Sequence, residues 1–331
     1  MAQRQIRIAI IGAGSIGSLF GGYLAKNESV QYQTEVFFFG RKEHIKMVNE
    51  NGLFLRKNDD ILKITGIKGF TNPREYLEEE GQKAIQFCFL TTKTYDIKST
   101  LKEYKEIVEN TEWFIILQNG IGNEEVVKKN VPKSKIIRAI TSNGAFLAEP
   151  GLVEHTGEGF TKMGLAFSKN GNENRGEDVA SKAMESLRDI LIENGIEATI
   201  SDDIIKACWE KIFVNIGINP FGALTRLRNG KLLKNKGIKS MMGEAVKEAV
   251  KVANNRGMDL SAEEFIELTY SVAIKTENNI NSMLQDILKG KQTEIDFING
   301  KIVQYAEEMG ISVPINRTLT HLIKGLEKST L

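Results

Sequence analysis

Three spaced glycines lie directly after the first apolar run of the sequence and restrict the folds that this chain can adopt. Ile6–Ile11 predicts a strand, and Gly12, Gly14 and Gly17 follow as G-x-G-x-x-G at the start of a helical segment. In such a turn the first glycine permits a tight bend, the second lets the backbone approach a pyrophosphate, and the third allows close helix packing. The helix start also supplies N–H donors for phosphates, here those of Ser15, Ile16 and Gly17. The spacing predicts a dinucleotide site, and the alternative interpretation is an ordinary glycine-rich turn.

The end of the second predicted strand indicates which dinucleotide is used. Glu35–Phe39 is followed by Gly40, Arg41 and Lys42, with no carboxylate at the position where NAD enzymes usually bind the ribose 2′-hydroxyl. Two cations favour a 2′-phosphate and therefore NADPH, with Arg41 as the principal contact. The alternative is a solvated turn.

Strand and helix patterns alternate through the first two hundred residues. Strands are predicted at 6–11, 35–39, 84–90, 113–117, 136–141 and 197–200, and helices at 17–26, 97–108 and 177–193. This alternation predicts a largely parallel, doubly wound α/β sheet of Rossmann type. Glycines in 151–167 suggest a hairpin, which would add an antiparallel edge to that sheet.

After Ser201 the pattern changes to helices, which we predict at about 203–218, 240–256, 261–278, 282–289 and 293–309. The sequence therefore predicts two domains, a Rossmann-like domain at 1–200 and an all-α domain at 201–331. No Pro/Gly/Ser-rich linker marks the join, so we expect the two domains to share a cleft.

Charge and cysteine content narrow the class of function. The 44 Lys and Arg residues nearly balance the 43 Asp and Glu residues, so no global field favours nucleic acid or an anionic membrane. Cys88 and Cys208 lie among apolar or aromatic residues, which fits reduced core thiols better than a disulfide framework or a metal cluster. With no export signal or membrane span expected, the prediction is a cytoplasmic protein with a small-molecule partner and no metal.

A candidate catalytic helix lies at the start of the second domain. Lys211, Asn215 and Asn219 recur every four residues in apolar surroundings and therefore share one helix face. A single ammonium with two amides is typical of a pocket wall, and the alternative is a partly exposed helix edge. Reduction of a ketone needs a proton on the oxygen as negative charge grows there, and a lysine ammonium supplies both the charge and the proton.

Three further positions are candidates, each with a structural alternative. Asn119 follows the 113–117 strand, where open α/β sheets place ligands, but an Asn-Gly pair is also an ordinary turn. Ser282 begins a predicted helix, where it could hold a carboxylate or form a capping box with Gln285. Glu294 similarly begins a helix, where it could simply favour the helix dipole.

Together these segments resemble the ketopantoate reductase family, which makes pantoate on the route to pantothenate and coenzyme A. The segments are GAGSIG, TTKTYD, LQNGIGNEE, WEKIFVNIGINP, NSMLQDILKGKQTEIDFING and VPIN, and they span nearly the whole chain. The resemblance implies that Lys211 is the general acid, that Glu294 binds the substrate hydroxyl and that Ser282 binds its carboxylate. It also implies that Asn215, Asn219 and Asn279 line the same pocket, that Asn119 lies near the nicotinamide, and that Arg41 and Lys93 contact the cofactor.

The expected reaction is therefore reduction of 2-dehydropantoate by NADPH, in a cleft between a Rossmann domain and a helical domain. Two alternatives stay open, namely a reductase of another small branched 2-oxo acid and a non-catalytic NADP-sensing module. The sequence leaves the oligomeric state open, with a homodimer as one option, and also leaves open the exact 2-oxo acid, the extent of domain closure and the hydride stereochemistry.

Overall fold

The computed structural model describes residues 3–167 and 174–330, which form two compact units. The first unit contains the chain up to Gln118 together with Asn123–Ile205, and the second contains Asn119–Gly122 together with the chain from Lys206 onward. The chain therefore passes from one unit to the other at three points. The four residues after Gln118 belong with the helical half, although sequence order places them in the first.

The first unit alternates strands and helices as predicted. Its strands are β1 (Arg4–Ile11), β2 (Tyr32–Phe39), β3 (Leu53–Lys57), β4 (Asp60–Ile64), β5 (Lys68–Phe70), β6 (Ile85–Leu90), β7 (Thr111–Ile116), β8 (Ile136–Thr141), β9 (Gly144–Glu149), β10 (Leu152–Gly157), β11 (Thr161–Leu165) and β12 (Ala198–Ile200). Its helices are α1 (Ser15–Leu24), α2 (Lys42–Asn51), α3 (Pro73–Glu80), α4 (Ile97–Glu103), α5 (Lys105–Glu109), α6 (Asn123–Val127) and α7 (Asn174–Glu193).

The main sheet is doubly wound and largely parallel, which confirms the predicted fold class. Among the described strands its order is β12-β11-β8-β7-β6-β1-β2-β5, and only β8 and β11 pair antiparallel. Successive residues of β1 enter opposite apolar layers, with Ile8 and Ile10 on one side and Ala9 and Ile11 on the other. Both faces are covered at the carboxyl end of the strand, and the sequence there is a continuous apolar run from Ile8 to Ile11. The carboxyl ends of β1, β6 and β7 meet at one edge of the sheet.

The hairpin predicted at 151–167 is wrong. β10 and β11 belong to different sheets, since β11 pairs with β8 while β10 joins a second sheet of order β4-β3-β10-β9. An antiparallel strand is added to the main sheet as expected, but β12 pairs with its far side and forms the edge. The pairing of β10 with β3 joins segments about a hundred residues apart, which local patterns do not reveal.

The described part of the second unit is helical. Its helices are α8 (Ile204–Thr225), which begins in the first unit, α9 (Asn229–Leu232), α10 (Lys236–Asn255), α11 (Ala262–Lys275), α12 (Ser282–Leu288), α13 (Asn299–Glu308) and α14 (Pro314–Thr330). Helix α10 packs against α11, α13 and α14. Over the described residues, no helix has both the length and the apolar character needed to cross a membrane.

Several helix bounds differ from the prediction, and two of the differences have a clear local cause. Helix α8 continues through Pro220 to Thr225 instead of ending at 218, because burial of Phe221 and Ala223 outweighs the backbone hydrogen bond that proline removes. The helix predicted at 293–309 is interrupted, since a 3₁₀ turn at Ile295–Phe297 precedes α13. Ile298 between them has φ −111° and ψ −97°, which is not helical.

Candidate active site

The turn between β1 and α1 requires glycine at two positions. Gly12 has φ +103°, and a Cβ atom there would lie 2.5 Å from the backbone nitrogen of Thr92. A Cβ atom at Gly17 would lie 2.3 Å from the carbonyl oxygen of Gly12. The Thr91 hydroxyl donates to that same oxygen at 2.8 Å, so the end of β6 supports the turn.

The start of α1 suits an anionic ligand. Gly14 is the N-cap residue and supplies no side-chain cap, and the first turn of α1 carries no acidic residue. A Cβ atom at Gly14 would meet its nearest neighbour, the carbonyl oxygen of Gly12, at the ordinary contact distance of 3.9 Å, so the fold itself leaves room for a methyl group there. Ser15 and Ile16 are half-buried, and the Ser15 hydroxyl accepts from the backbone N–H of Leu147 at 3.0 Å. Backbone N–H groups at such a helix start fit a pyrophosphate.

The two predicted cationic contacts lie at the starts of short elements in the same unit. Arg41 is the N-cap residue of α2, and both it and Lys42 are exposed. Lys93 precedes a 3₁₀ turn at Thr94–Asp96 and is half-buried. Exposure of Arg41 fits both a 2′-phosphate contact and the alternative of a solvated turn, so its role stays a prediction.

In the second unit, three of the predicted residues form one hydrogen-bonded chain. The Lys211 ammonium donates to Asn119 Oδ1 at 2.9 Å. The amide Nδ2 of Asn119 donates to Glu294 Oε2 at 3.3 Å. Glu294 is only 7% exposed and Lys211 is half-buried. A cation and a carboxylate, 83 residues apart in the sequence, are thus linked through one amide.

The predicted polar face of α8 lies within a single helix, as its four-residue spacing required. Lys211 and Asn215 are half-buried, and Asn219 is 5% exposed. No hydrogen bond from either asparagine side chain is found among the described residues. Neither amide is among the fully buried polar atoms that lack a partner, so both retain enough exposure to meet a polar ligand.

Ser282 does not cap its helix, so the capping-box interpretation is wrong. Asn281 is the N-cap residue of α12, and its Oδ1 accepts from the backbone N–H of Leu284 at 3.0 Å. Ser282 is the next residue and is exposed. Asn279 is also exposed, and its carbonyl oxygen accepts from the backbone N–H of Asn229 at 3.1 Å. The Ser282 hydroxyl is therefore not needed to start the helix.

Two supports of the site were not predicted. In the first unit, the buried guanidinium of Arg138 donates to the carbonyl oxygens of Ile116 and Gln118, both at 2.7 Å. These contacts fix the end of β7 directly before Asn119. In the second unit, the Glu327 carboxylate accepts from Thr293, the residue before Glu294. The sequence did contain a sign of the first support, since Arg138 is an arginine inside a β-strand pattern. It contained no sign of the second, because a charged residue such as Glu327 in a helix is usually solvated.

The fold and these residues define a class, namely an oxidoreductase built on a Rossmann-type dinucleotide-binding unit and a helical unit. Residues 8–166 match the model of the family described as ketopantoate reductase PanE/ApbA, and residues 203–327 match the model of its C-terminal domain. The chain belongs to the ketopantoate reductase family.

Relatives and solved structures agree with this assignment. The chain is 37% identical to a 2-dehydropantoate 2-reductase of Pyrococcus abyssi over 97% of this chain and 98% of that protein. It is 38% identical to the enzyme of the same name from Pyrococcus horikoshii, with the same coverage. The ternary structure of D-mandelate dehydrogenase with NADH and anilino(oxo)acetate aligns with a TM-score of 0.85 and 28% identity, covering 98% of this chain and 99% of the other.

Proposed function

We propose that this protein reduces 2-dehydropantoate to pantoate with NADPH, and that its product enters pantothenate and coenzyme A biosynthesis. The observation that carries the proposal is the hydrogen-bonded chain of Lys211, Asn119 and Glu294, which brings a proton donor and a hydroxyl acceptor together. The two Pyrococcus relatives named 2-dehydropantoate 2-reductase support the choice of substrate. A cytoplasmic location stays a prediction.

Lys211 acts as the general acid in this proposal. Negative charge grows on the carbonyl oxygen during reduction, so a nearby ammonium stabilises the transition state and then transfers its proton to that oxygen. A lysine ammonium has three N–H donors, of which Asn119 accepts one at 2.9 Å. That bond restricts the flexible lysine side chain and so directs the ammonium.

Glu294 accepts a hydrogen bond from the substrate hydroxyl in this proposal, since its carboxylate is buried and held by Asn119. The exposed Ser282 hydroxyl donates to the substrate carboxylate. Other polar groups complete the substrate site, namely Asn215, Asn219 and Asn279. A buried group that loses its polar partner is penalised, so such a site discriminates strongly for a hydroxylated substrate.

NADPH would be held by the glycine turn of Gly12, Gly14 and Gly17 and the first residues of α1, Ser15 and Ile16. Arg41 would contact the 2′-phosphate, and Lys93 would contact the phosphate portion. When bound, NADPH supplies the hydride that the carbonyl carbon receives. The start of α1, which has no side-chain cap and no acidic residue in its first turn, supports this assignment.

Substitution of Lys211 tests the proposal. We expect Lys211→Met to lower kcat with 2-dehydropantoate by on the order of 10²-fold or more, with little change in NADPH affinity, because the lysine acts mainly in the transition state. Lys211→Arg keeps the charge but gives up its proton poorly, so it should bind substrate and still lose kcat. NADPH absorbance gives kcat and fluorescence gives cofactor affinity.

Lys206→Met is the matched control, since Lys206 is an exposed lysine on the same helix. It should leave kcat within about twofold, as is usual for a surface substitution. A Lys211→Met variant that retains kcat while losing NADPH affinity would contradict the proposed role.

The likeness to D-mandelate dehydrogenase favours a second candidate, a reductase of another small 2-oxo acid. Purified protein assayed with NADPH or NADH and a panel of 2-oxo acids separates the two. Preference for 2-dehydropantoate supports the first proposal. Preference for an aromatic 2-oxo acid, or for a different branched one, supports the second. Cofactor binding without turnover of any acid would favour a NADP-sensing module instead.

A further inference from the structure

The segment 293–299 carries Glu294, and residues of helix α14 bind this segment at both ends. At its beginning, Glu327 Oε1 accepts from the backbone N–H of Thr293 at 2.7 Å and from the Thr293 hydroxyl at 2.6 Å. Thr293 is 2% exposed and Glu327 is 8% exposed, so these bonds are shielded from water. Bonds to an ionised acceptor are shorter and stronger than neutral ones.

The Thr293 hydroxyl forms hydrogen bonds both to Glu327 and to Ile295, the residue after Glu294. While it donates to Glu327, its oxygen accepts from the backbone N–H of Ile295 at 3.2 Å. The residue before Glu294 is therefore bound to Glu327, and the residue after it is bound to the Thr293 hydroxyl. The Glu294 carbonyl oxygen also accepts from the Phe297 backbone N–H at 3.0 Å, so the backbone on both sides of the glutamate is fixed.

The other end of the segment is tied to the beginning of α14. The Asn299 amide donates to Asn316 Oδ1 at 3.0 Å, and Asn316 Nδ2 donates to Glu248 Oε2 at 2.8 Å. Both asparagine residues are fully buried. Glu248 also accepts from the backbone N–H groups of Ile315 and Asn316, each at 3.0 Å, so it fixes the first turn of α14.

A third link between α14 and the segment lies in solvent. Lys324 Nζ donates to both carboxylate oxygens of Asp296 at 2.9 Å, with side chains 45% and 43% exposed. Exposed ion pairs contribute little to stability, typically under about 1 kcal/mol. This pair joins the same two elements as the Glu327–Thr293 contact and therefore serves as its control.

We propose that Glu327, acting through Thr293, is a positioning residue that sets the Glu294 carboxylate for the substrate hydroxyl, and so determines specificity for hydroxylated 2-oxo acids. This inference rests on the proposed role of Glu294. A hydrogen-bonding group displaced by about 1 Å loses much of its effect, whereas proton transfer from Lys211 does not require the hydroxyl. Loosening the contact should therefore weaken discrimination more than catalysis.

The test compares 2-dehydropantoate with trimethylpyruvate, in which a hydrogen replaces the hydroxyl group. Discrimination is the ratio of their kcat/KM values. We expect Thr293→Val and Glu327→Gln to lower this ratio by about tenfold or more, mainly through a higher KM for 2-dehydropantoate. Turnover of trimethylpyruvate and affinity for NADPH should stay within about twofold, which a general loss of structure would not allow.

Two controls accompany these variants. Thr293→Ser keeps the hydroxyl and should retain the wild-type ratio, and Lys324→Met, which removes only the exposed link, should retain it as well. Circular dichroism and thermal unfolding show whether each variant is folded. If Glu327→Gln fails to fold, the Thr293→Val and Thr293→Ser pair decides the question alone.

Glu294→Gln separates failure of the inference from failure of the proposed function. If Glu294→Gln abolishes discrimination while folded Thr293→Val preserves it, the positioning role of Glu327 is wrong and the role of Glu294 stands. If the wild-type protein does not discriminate, or Glu294→Gln leaves the ratio unchanged, the proposed role of Glu294 is wrong, and the inference falls with it.

Discussion

Arg41 and Lys42 are adjacent, exposed cations, yet their chemistry differs. A guanidinium presents a planar set of donors that matches a phosphate in a bidentate way, whereas an ammonium is a compact, flexible point charge. Arg41 is also the N-cap residue of α2, directly after the turn that leaves β2. If a 2′-phosphate is bound here, the two residues should contribute unequally.

We expect Arg41→Ala to raise the KM for NADPH by on the order of 10- to 100-fold, because a charge-assisted bidentate contact is lost. The KM for NADH should change by less than about twofold, since NADH has no 2′-phosphate. Steady-state kinetics with both cofactors provide the measurement. Lys42→Ala is the control, and an equal effect of both substitutions on NADPH would show general electrostatic attraction instead of a specific contact.

The candidate site could be predicted where local rules apply. The four-residue spacing of Lys211, Asn215 and Asn219 follows from helix geometry, and Asn119 follows from the position of ligands at strand ends. The contact of Thr293 with Glu327 spans 34 residues. It was not predictable, because it depends on how α14 packs.

In the β1–α1 turn, Gly12 and Gly14 differ in whether the fold itself requires a glycine. Gly12 adopts a left-handed backbone, and a side chain there would meet the backbone of Thr92. Gly14 has φ −93°, which any residue adopts, and a Cβ atom there would meet no atom closer than 3.9 Å. The first glycine is thus required by the fold, whereas the fold leaves room for a methyl group at the second.

Gly12→Ala should therefore lower the free energy of unfolding by about 2 kcal/mol or more, through strain and overpacking. Gly14→Ala should change the free energy of unfolding by less than about 1 kcal/mol but weaken NADPH binding by tenfold or more, because its methyl group obstructs the pyrophosphate. Urea unfolding and fluorescence titration measure the two effects. Tight NADPH binding by Gly14→Ala would place the pyrophosphate elsewhere.

At the start of α12, the observed cap residue, Asn281, is followed directly by Ser282, the proposed partner of the substrate carboxylate. Asn281→Ala removes the cap and should destabilise the protein by about 1 kcal/mol. Ser282→Ala should leave the free energy of unfolding unchanged within about 0.5 kcal/mol and raise the KM for the 2-oxo acid by about tenfold, since one hydrogen bond to a carboxylate is lost. Urea unfolding and steady-state kinetics separate the two, and the reverse pattern would restore Ser282 as the cap.

The main parallel sheet was predictable from the sequence because its strands are short apolar runs separated by helices. The second sheet was not predictable. Most residues of β4 are exposed, and β3 pairs with β10, which lies about a hundred residues further along the chain. The assignment of Asn119–Gly122 to the helical unit was also unpredictable. In each case the deciding contacts join distant segments, and local periodicity carries no information about them.

The pH dependence of overall stability is set partly by two buried groups in the first unit. Burial lowers the pKa of His44 from 6.5 to about 4. Its Nδ1 accepts from the backbone N–H of Gly151 at 3.0 Å, so Nε2 carries the proton and donates to Ser18 Oγ, also at 3.0 Å. Burial would raise the pKa of Glu80, but hydrogen bonds from Lys68 and Arg7 outweigh it and lower the pKa from 4.5 to about 2.

Both folded-state pKa values lie below the unfolded values, so the unfolded chain binds more protons as the pH falls. The contribution of His44 is complete above its unfolded pKa of 6.5 and is lost towards about 4, and that of Glu80 is lost between 4.5 and about 2. We expect urea unfolding to show a loss approaching about 3 kcal/mol from His44 between neutral pH and about pH 4. His44→Asn, which keeps an acceptor for Gly151, should be less stable near neutral pH but lose correspondingly less on acidification. An unchanged acid slope in that variant would show that His44 is not the group that titrates.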